Sequence, residues 1–212
     1  MNPDRSKIKM RVAIIKYNAG NIRSVENALN RIGASCVVTD DLETIEKADK
    51  VILPGVGEAS SAMQYLKSKG LDKLIVSLKQ PLLGICLGQQ LLCTYSEEGN
   101  TECLGIFDTM VRLFPSTDIV PHMGWNNLSA MKGPLFKGIS ENDDVYFVHS
   151  YYAELTPVRG QGGQTAAVCN YILPFSAALQ KDNFYATQFH REKSGKIGET
   201  ILSNFLNISS PL

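Results

Sequence analysis

Gly84-Ile85-Cys86-Leu87-Gly88 sets a cysteine midway between two glycines, after the apolar run Leu82-Leu83-Gly84-Ile85 and before a helical pattern that opens at Leu87. A nucleophile at such a strand-to-helix turn stands at the sheet edge, and the glycines let the helix pass close to the strand. Partial positive charge at the helix start favours thiolate over thiol, and the Leu87 N–H points where an oxyanion would form. Acyl transfer by a thiol also wants a base and a group to orient it. Of the three histidines, His122, His149 and His190, only His190 has an acid at a useful spacing. Gln188-Phe189-His190-Arg191-Glu192 ends an apolar run, and two residues apart in extended chain share a side. Cys86, His190 and Glu192 are the candidate nucleophile, base and orienter.

A small buried cysteine is the ordinary alternative for any thiol. It suits Cys36, Cys93, Cys103 and Cys169, none of which has the flanking glycines. Cys93, seven positions past Cys86, is expected on the same helix. The five cysteines are odd in number and make no C-x-x-C pair, so neither a disulfide framework nor a zinc site is expected. Reduced thiols in a cytoplasmic compartment are the simpler reading.

The elements that must position these residues alternate along the front half. Strands are expected at 12–15, 36–39, 51–53 and 82–85, and helices at 22–32, 42–48, 59–69, 72–79 and 87–95. That alternation predicts an α/β fold with a mostly parallel central sheet and helices on both faces. The back half carries short strands near 111–113, 145–148, 166–168, 177–179 and 185–189, read as an antiparallel extension of the sheet. A last helix is expected from about 196 to 205, and a surface loop at 158–165. Residues 1–9 read as a disordered extension before a single domain spanning 10–212.

Composition narrows the class of partner. The 212 residues are 44% hydrophobic and 20% charged, with 21 basic and 21 acidic side chains. A neutral chain has no electrostatic reason to bind nucleic acid or an anionic membrane. No apolar stretch is long enough to span a bilayer. A small-molecule substrate or a protein partner is the expectation.

The cysteine segment through Gln90, together with Phe189-His190-Arg191-Glu192-Lys193-Ser194, resembles the class I glutamine amidotransferases and their flavodoxin-like fold. Further segments are similar to the glutaminase subunits of imidazole glycerol phosphate synthase: Tyr17-Asn18-Ala19-Gly20-Asn21, Pro54-Gly55-Val56-Gly57, Pro121-His122-Met123-Gly124-Trp125-Asn126 and Tyr146-Phe147-Val148-His149-Ser150-Tyr151. The likeness runs from about residue 10 to 206. It implies L-glutamine as substrate, a glutamyl thioester on Cys86, and no cofactor or metal. Backbone N–H groups at Leu87 and at Gly55-Val56 would form the oxyanion hole. Gly57, Gln90, Glu98 and the Ser150-Tyr151 backbone would hold glutamine. Tyr17, Asn18, Asn21, His122 and Trp125 would face a cyclase subunit that uses the ammonia in histidine biosynthesis.

The sequence departs from the family at Arg191, where proline is usual, at Lys16 and Asn18, and at a glycine-rich insertion near Gly160. A proline at 191 would stiffen the segment between base and orienter. Competing readings are the same chemistry serving another synthase, a catalytically weak scaffold for the cyclase, and a cysteine peptidase on a similar sheet.

Overall fold

The computed structural model describes residues 10–17, 20–156 and 163–209. The N-terminal extension, Asn18 and residues 158–162 of the expected loop, Gly160 among them, lie outside these. In chain order the elements begin β1 (Val12–Ile15), α1 (Ile22–Arg31), β2 (Cys36–Thr39), α2 (Leu42–Glu46), β3 (Lys50–Leu53), α3 (Ala59–Ser68), α4 (Leu71–Ser77), β4 (Leu82–Ile85) and α5 (Leu87–Leu91). Then come β5 (Tyr95–Ser96), β6 (Thr101–Glu102), β7 (Met110–Leu113), β8 (His122–Asn127), β9 (Asp144–His149) and β10 (Tyr151–Ala153). The chain closes with β11 (Thr165–Asn170), β12 (Pro174–Lys181), β13 (Phe184–Thr187) and α6 (Gly195–Leu206).

Strands buried on both faces take the middle of a sheet. β1, β3, β4 and β13 are buried at every residue, and the seven-stranded order is β11-β12-β13-β4-β3-β1-β2. β2, β1, β3, β4 and β13 run parallel, while β12 and β11 extend the sheet antiparallel. Side chains alternate between the faces as a strand requires. Ile14, Ile52 and Leu83 pack with Val25 and Leu29 of α1 and Phe205 of α6. Ala13, Val51 and Leu82 pack with Met63 and Leu66 of α3 and Ile75 of α4.

The short strands of the back half divide their work more than expected. Only β11 and β12 form the antiparallel extension; β13 lies inside the parallel set, between β12 and β4. β7 belongs to a separate four-stranded sheet, and β9 pairs with β8 in a two-stranded ribbon. β8 was not foreseen as a strand at all. α5 ends at Leu91, so Cys93 lies just past the helix rather than on it.

Two glycines make the elbow possible. A Cβ on Gly88 would overlap the carbonyl oxygen of Leu53, and one on Gly84 would come within 2.7 Å of Leu92 Cδ1 and 2.8 Å of the Gly88 backbone. Backbone cannot yield as a flexible side chain does. We expect Gly88→Ala to lower unfolding free energy by about 1–3 kcal/mol, as overpacking a tight site does. Urea denaturation measures it, and an unchanged midpoint would contradict the close packing.

Candidate active site

β4 and β13 are neighbours in register, Thr187 opposite Ile85, so both strands end at the same edge of the sheet. The Cys86 N–H donates to the Thr187 carbonyl at 2.8 Å. Cys86 lies at φ 53°, a conformation costly for a residue with a Cβ and typical of a nucleophile held at a sharp turn. Three residues past Thr187 comes His190, which lines the same cavity as Cys86. Its Nδ1 lies 2.7 Å from Glu192 Oε1. Glu192 reaches back through a turn of 3-10 helix at Arg191–Lys193, not along an extended segment as the spacing suggested.

Burial opposes charge on His190. Its interactions with nearby Cys86 and with the hydrogen-bonded Glu192 carboxylate outweigh that and raise its pKa to about 10. For Glu192, burial would raise the pKa, but His190 wins and lowers it. The two shifts agree on an imidazolium held by a carboxylate. Asn21 adds a carboxamide donor to the same Glu192 oxygen. Burial pushes the Cys103 and Cys169 thiols up to about 12, as suits inert cysteines.

A cavity of about 330 Å³ opens over this edge. Cys86, His190, Gln90, Glu98, Ser150 and Tyr151 line it, with Val56, Gly57 and Leu87 at the nucleophile's side. Gln90 Nε2 donates to the Tyr151 carbonyl and to Gln188 Oε1, both at 3.0 Å. Glu98 accepts the Ala59 N–H at the start of α3 at 2.8 Å. Burial raises the Glu98 pKa, partly offset by that N–H. Among the described residues, no three His, Cys, Asp or Glu side chains cluster as a metal site would need.

The backbone donors expected to form an oxyanion hole are not presented together in this conformation. The Leu87 N–H donates to the Gly55 carbonyl at 3.3 Å, so the Gly55-Val56 peptide presents oxygen where it was expected to present N–H. A Cβ on Gly55 would overlap the Tyr17 hydroxyl, which itself donates to the Pro54 carbonyl.

Three residues expected to face a partner sit elsewhere. Tyr17 is 4% exposed and His122 3%, each held by buried hydrogen bonds. Asn21 is turned inward to Glu192. The alternation of β8 explains His122: it points in, whereas Met123 and Trp125 point out at 63% and 57% exposure. Sequence reasoning also missed Gln188, which is fully buried and places Nε2 3.6 Å from Cys86 Sγ. Its position two before His190 was the available signal.

Arg191 is the least expected. It is 2% exposed, and its guanidinium neither meets Glu192 nor reaches solvent. None of its side-chain nitrogens has a hydrogen-bond partner among the described residues. Burial lowers its pKa to about 9, against the pull of Glu192. An unfolded arginine keeps its proton to higher pH than this folded one. The folded chain therefore bears the full cost of the charge below about pH 9, and stability recovers as pH rises through that value. We expect Arg191→Met, of similar length and uncharged, to gain about 1–3 kcal/mol at neutral pH, with the gap narrowing in alkali. Denaturation at several pH values measures it; a destabilised variant would show that the guanidinium has a partner.

Comparison with known proteins agrees with this geometry. The class-I glutamine amidotransferase family matches residues 13–208. An imidazole glycerol phosphate synthase subunit HisH from Bacteroides fragilis is 58% identical over 202 residues, covering 94% of this chain and 100% of that one. The subunit HisH of Shewanella loihica is 46% identical over 208 residues, covering 93% and 90%. A glutamine amidotransferase structure from Thermotoga maritima covers 94% of this chain and 99% of its own at TM-score 0.66 and 15% identity, a likeness of fold. The chain belongs to the class-I glutamine amidotransferases and, within them, to the HisH subunits of imidazole glycerol phosphate synthase.

Proposed function

We infer that this chain hydrolyses L-glutamine and passes the ammonia to a cyclase subunit that makes imidazole glycerol phosphate in histidine biosynthesis. The observation that carries the chemistry is His190, held by Glu192, lining one cavity with Cys86, Gln90 and Glu98. The relatives' names carry the choice of synthase.

In this reading the Cys86 thiolate attacks the γ-carbonyl carbon of glutamine. The His190 imidazolium gives its proton to the leaving nitrogen as the C–N bond breaks, leaving a glutamyl thioester and ammonia. Neutral His190 then takes a proton from water, whose oxygen attacks the thioester; the C–S bond breaks and glutamate leaves. Glu192 keeps the imidazole oriented throughout. The acceptors of Gln90 and Glu98 suit the ammonium end of an amino acid, and backbone N–H groups at Ser150-Tyr151 suit its carboxylate.

Met123 and Trp125 offer exposed apolar surface on the ribbon whose inner face reaches the cavity, and Trp125 packs edge-on to Tyr146 at 5.5 Å. A heterodimer through that surface fits the subunit names. No helix among the described residues is long and apolar enough to cross a membrane. The complete triad favours an active glutaminase over an inert scaffold.

Cys86→Ala should abolish glutamine hydrolysis while ammonia-dependent synthesis by the assembled complex persists. Hydrolysis retained in that variant would remove Cys86 from the chemistry. The Gly55 carbonyl on Leu87 N–H further predicts weak hydrolysis by the isolated chain. Turning the Gly55-Val56 peptide would free that donor and bring in the Val56 N–H, each worth about 3 kcal/mol in the transition state. Partner and nucleotide ligand should therefore raise turnover by orders of magnitude, and Gly55→Val should remove the rise. A fully active isolated chain would refute this gating.

A further inference from the structure

His122 and His149 stand opposite each other across the β8–β9 ribbon and belong to no part of the triad. Both are buried, 3% and 6% exposed, and their facing nitrogens are 3.1 Å apart. The donors and acceptors in their surroundings can be assigned by chemistry alone, because each end meets a backbone carbonyl. His149 Nδ1 lies 2.7 Å from the Tyr151 oxygen, so Nδ1 carries hydrogen. In the neutral ring its Nε2 must then accept, so His122 Nδ1 carries hydrogen in turn. At the far end Asn126 Nδ2 donates to the Asn170 carbonyl at 3.0 Å and faces His122 Nε2 at 3.5 Å, where that ring has its acceptor. Protonating either ring would set two N–H groups against each other, and burial lowers both pKa values, to about 4 and about 3.

The Tyr151 carbonyl constrains Gln90 as well. The Gln90 atom 3.0 Å from the Tyr151 carbonyl must be nitrogen, and it spends its other hydrogen on Gln188 Oε1. Gln90 thus has one orientation, with Oε1 as its remaining polar atom at the cavity it lines. A carboxamide free to flip would offer donor or acceptor alike; this one offers an acceptor.

We propose that His122 and His149 are positioning residues that set substrate selectivity: by holding the Tyr151 carbonyl they lock Gln90 with its oxygen toward the cavity, which then selects a substrate nitrogen able to donate hydrogen bonds there. This rests on glutamine being the substrate. Glutamine has two such nitrogens, the α-ammonium and the side-chain amide, and Glu98 in the same cavity favours the α-ammonium.

The test is steady-state hydrolysis in the assembled complex with the cyclase and its nucleotide ligand. Three substrates are compared: glutamine, glutaramate (no α-nitrogen) and glutamate γ-methyl ester (no amide nitrogen). His149→Phe keeps the aromatic packing against Phe114, Phe147 and Phe175 but cannot donate to Tyr151. His149→Asn keeps a donor near the position of Nδ1 and serves as the conservative rescue. For His149→Phe, kcat/KM for glutamine should fall about tenfold, mostly through KM, as for one lost hydrogen bond. Glutaramate should be hydrolysed equally by wild type and variant, and His149→Asn should recover most of the loss. Insensitivity of the γ-methyl ester instead would assign the locked oxygen to the amide nitrogen and still support the proposal. An equal fall for all three substrates, or no fall for glutamine, would overturn it. Wild-type complex without glutamine hydrolysis would instead overturn the functional reading beneath it.

Discussion

A single backbone hydrogen bond, from the Cys86 N–H to the Thr187 carbonyl at 2.8 Å, ties the end of β4, where Cys86 follows, to the end of β13, which leads to His190. The two strands are nearly a hundred residues apart in the chain, and parallel pairing is the only reason their C-terminal ends coincide. A parallel neighbour needs a crossover, and the intervening chain supplies one that also carries the cavity-lining residues Gln90, Glu98 and Tyr151. An antiparallel placement of β13 would have sent His190 to the opposite edge. The sheet is therefore the device that brings Cys86 and His190 together from distant segments, and the glycines at 84 and 88 let the helix pass close to the strand.

Around that edge the polar groups are arranged so that few have a choice of partner. Tyr151 and Asn170 contribute backbone oxygens, which can only accept, and the side chains between them adopt the tautomers and flips those oxygens dictate. Buried polar groups with fixed partners lose little entropy when substrate arrives, because they were ordered already. The Gly55-Val56 peptide is the exception. Its carbonyl takes the Leu87 N–H, so one rotatable unit is set against an otherwise fixed site.

Much of this was legible in the sequence where a local rule applied. Gly84-x-Cys86-x-Gly88 announced the elbow because only small residues let a helix lie on strands this closely. The apolar runs announced the parallel sheet because strands buried on both faces have no polar alternation. What the sequence concealed was pairing between distant segments. β8 carries His122, Gly124 and Trp125 in a pattern without the aliphatic β-branched runs that mark the other strands, its partner β9 included, so it read as surface. Tyr17 and Asn21 lie beside a turn after β1, where polar residues usually face water; their partners, Pro54 and Glu192, come from loops that only the folded sheet brings near. Gln188 showed itself only as a neighbour of His190.

Arg191 and Glu192 show how local geometry reserves the carboxylate for the imidazole. Glu192 Oε1 receives both His190 and Asn21, while Oε2 is buried without a hydrogen-bond partner, as are the guanidinium nitrogens of the adjacent residue. Opposite charges in a poorly screening interior attract strongly, so their failure to pair needs a cause. The cause lies in the backbone. Residues 191–193 form a turn of 3-10 helix, in which successive side chains leave the axis about 120° apart. Arg191 and Glu192 therefore depart in different directions despite being neighbours. Lys193, a further step around, reaches the Tyr146 ring, its Nζ 5.9 Å from the centroid. Of the three charged residues the turn presents, only the carboxylate is directed at His190.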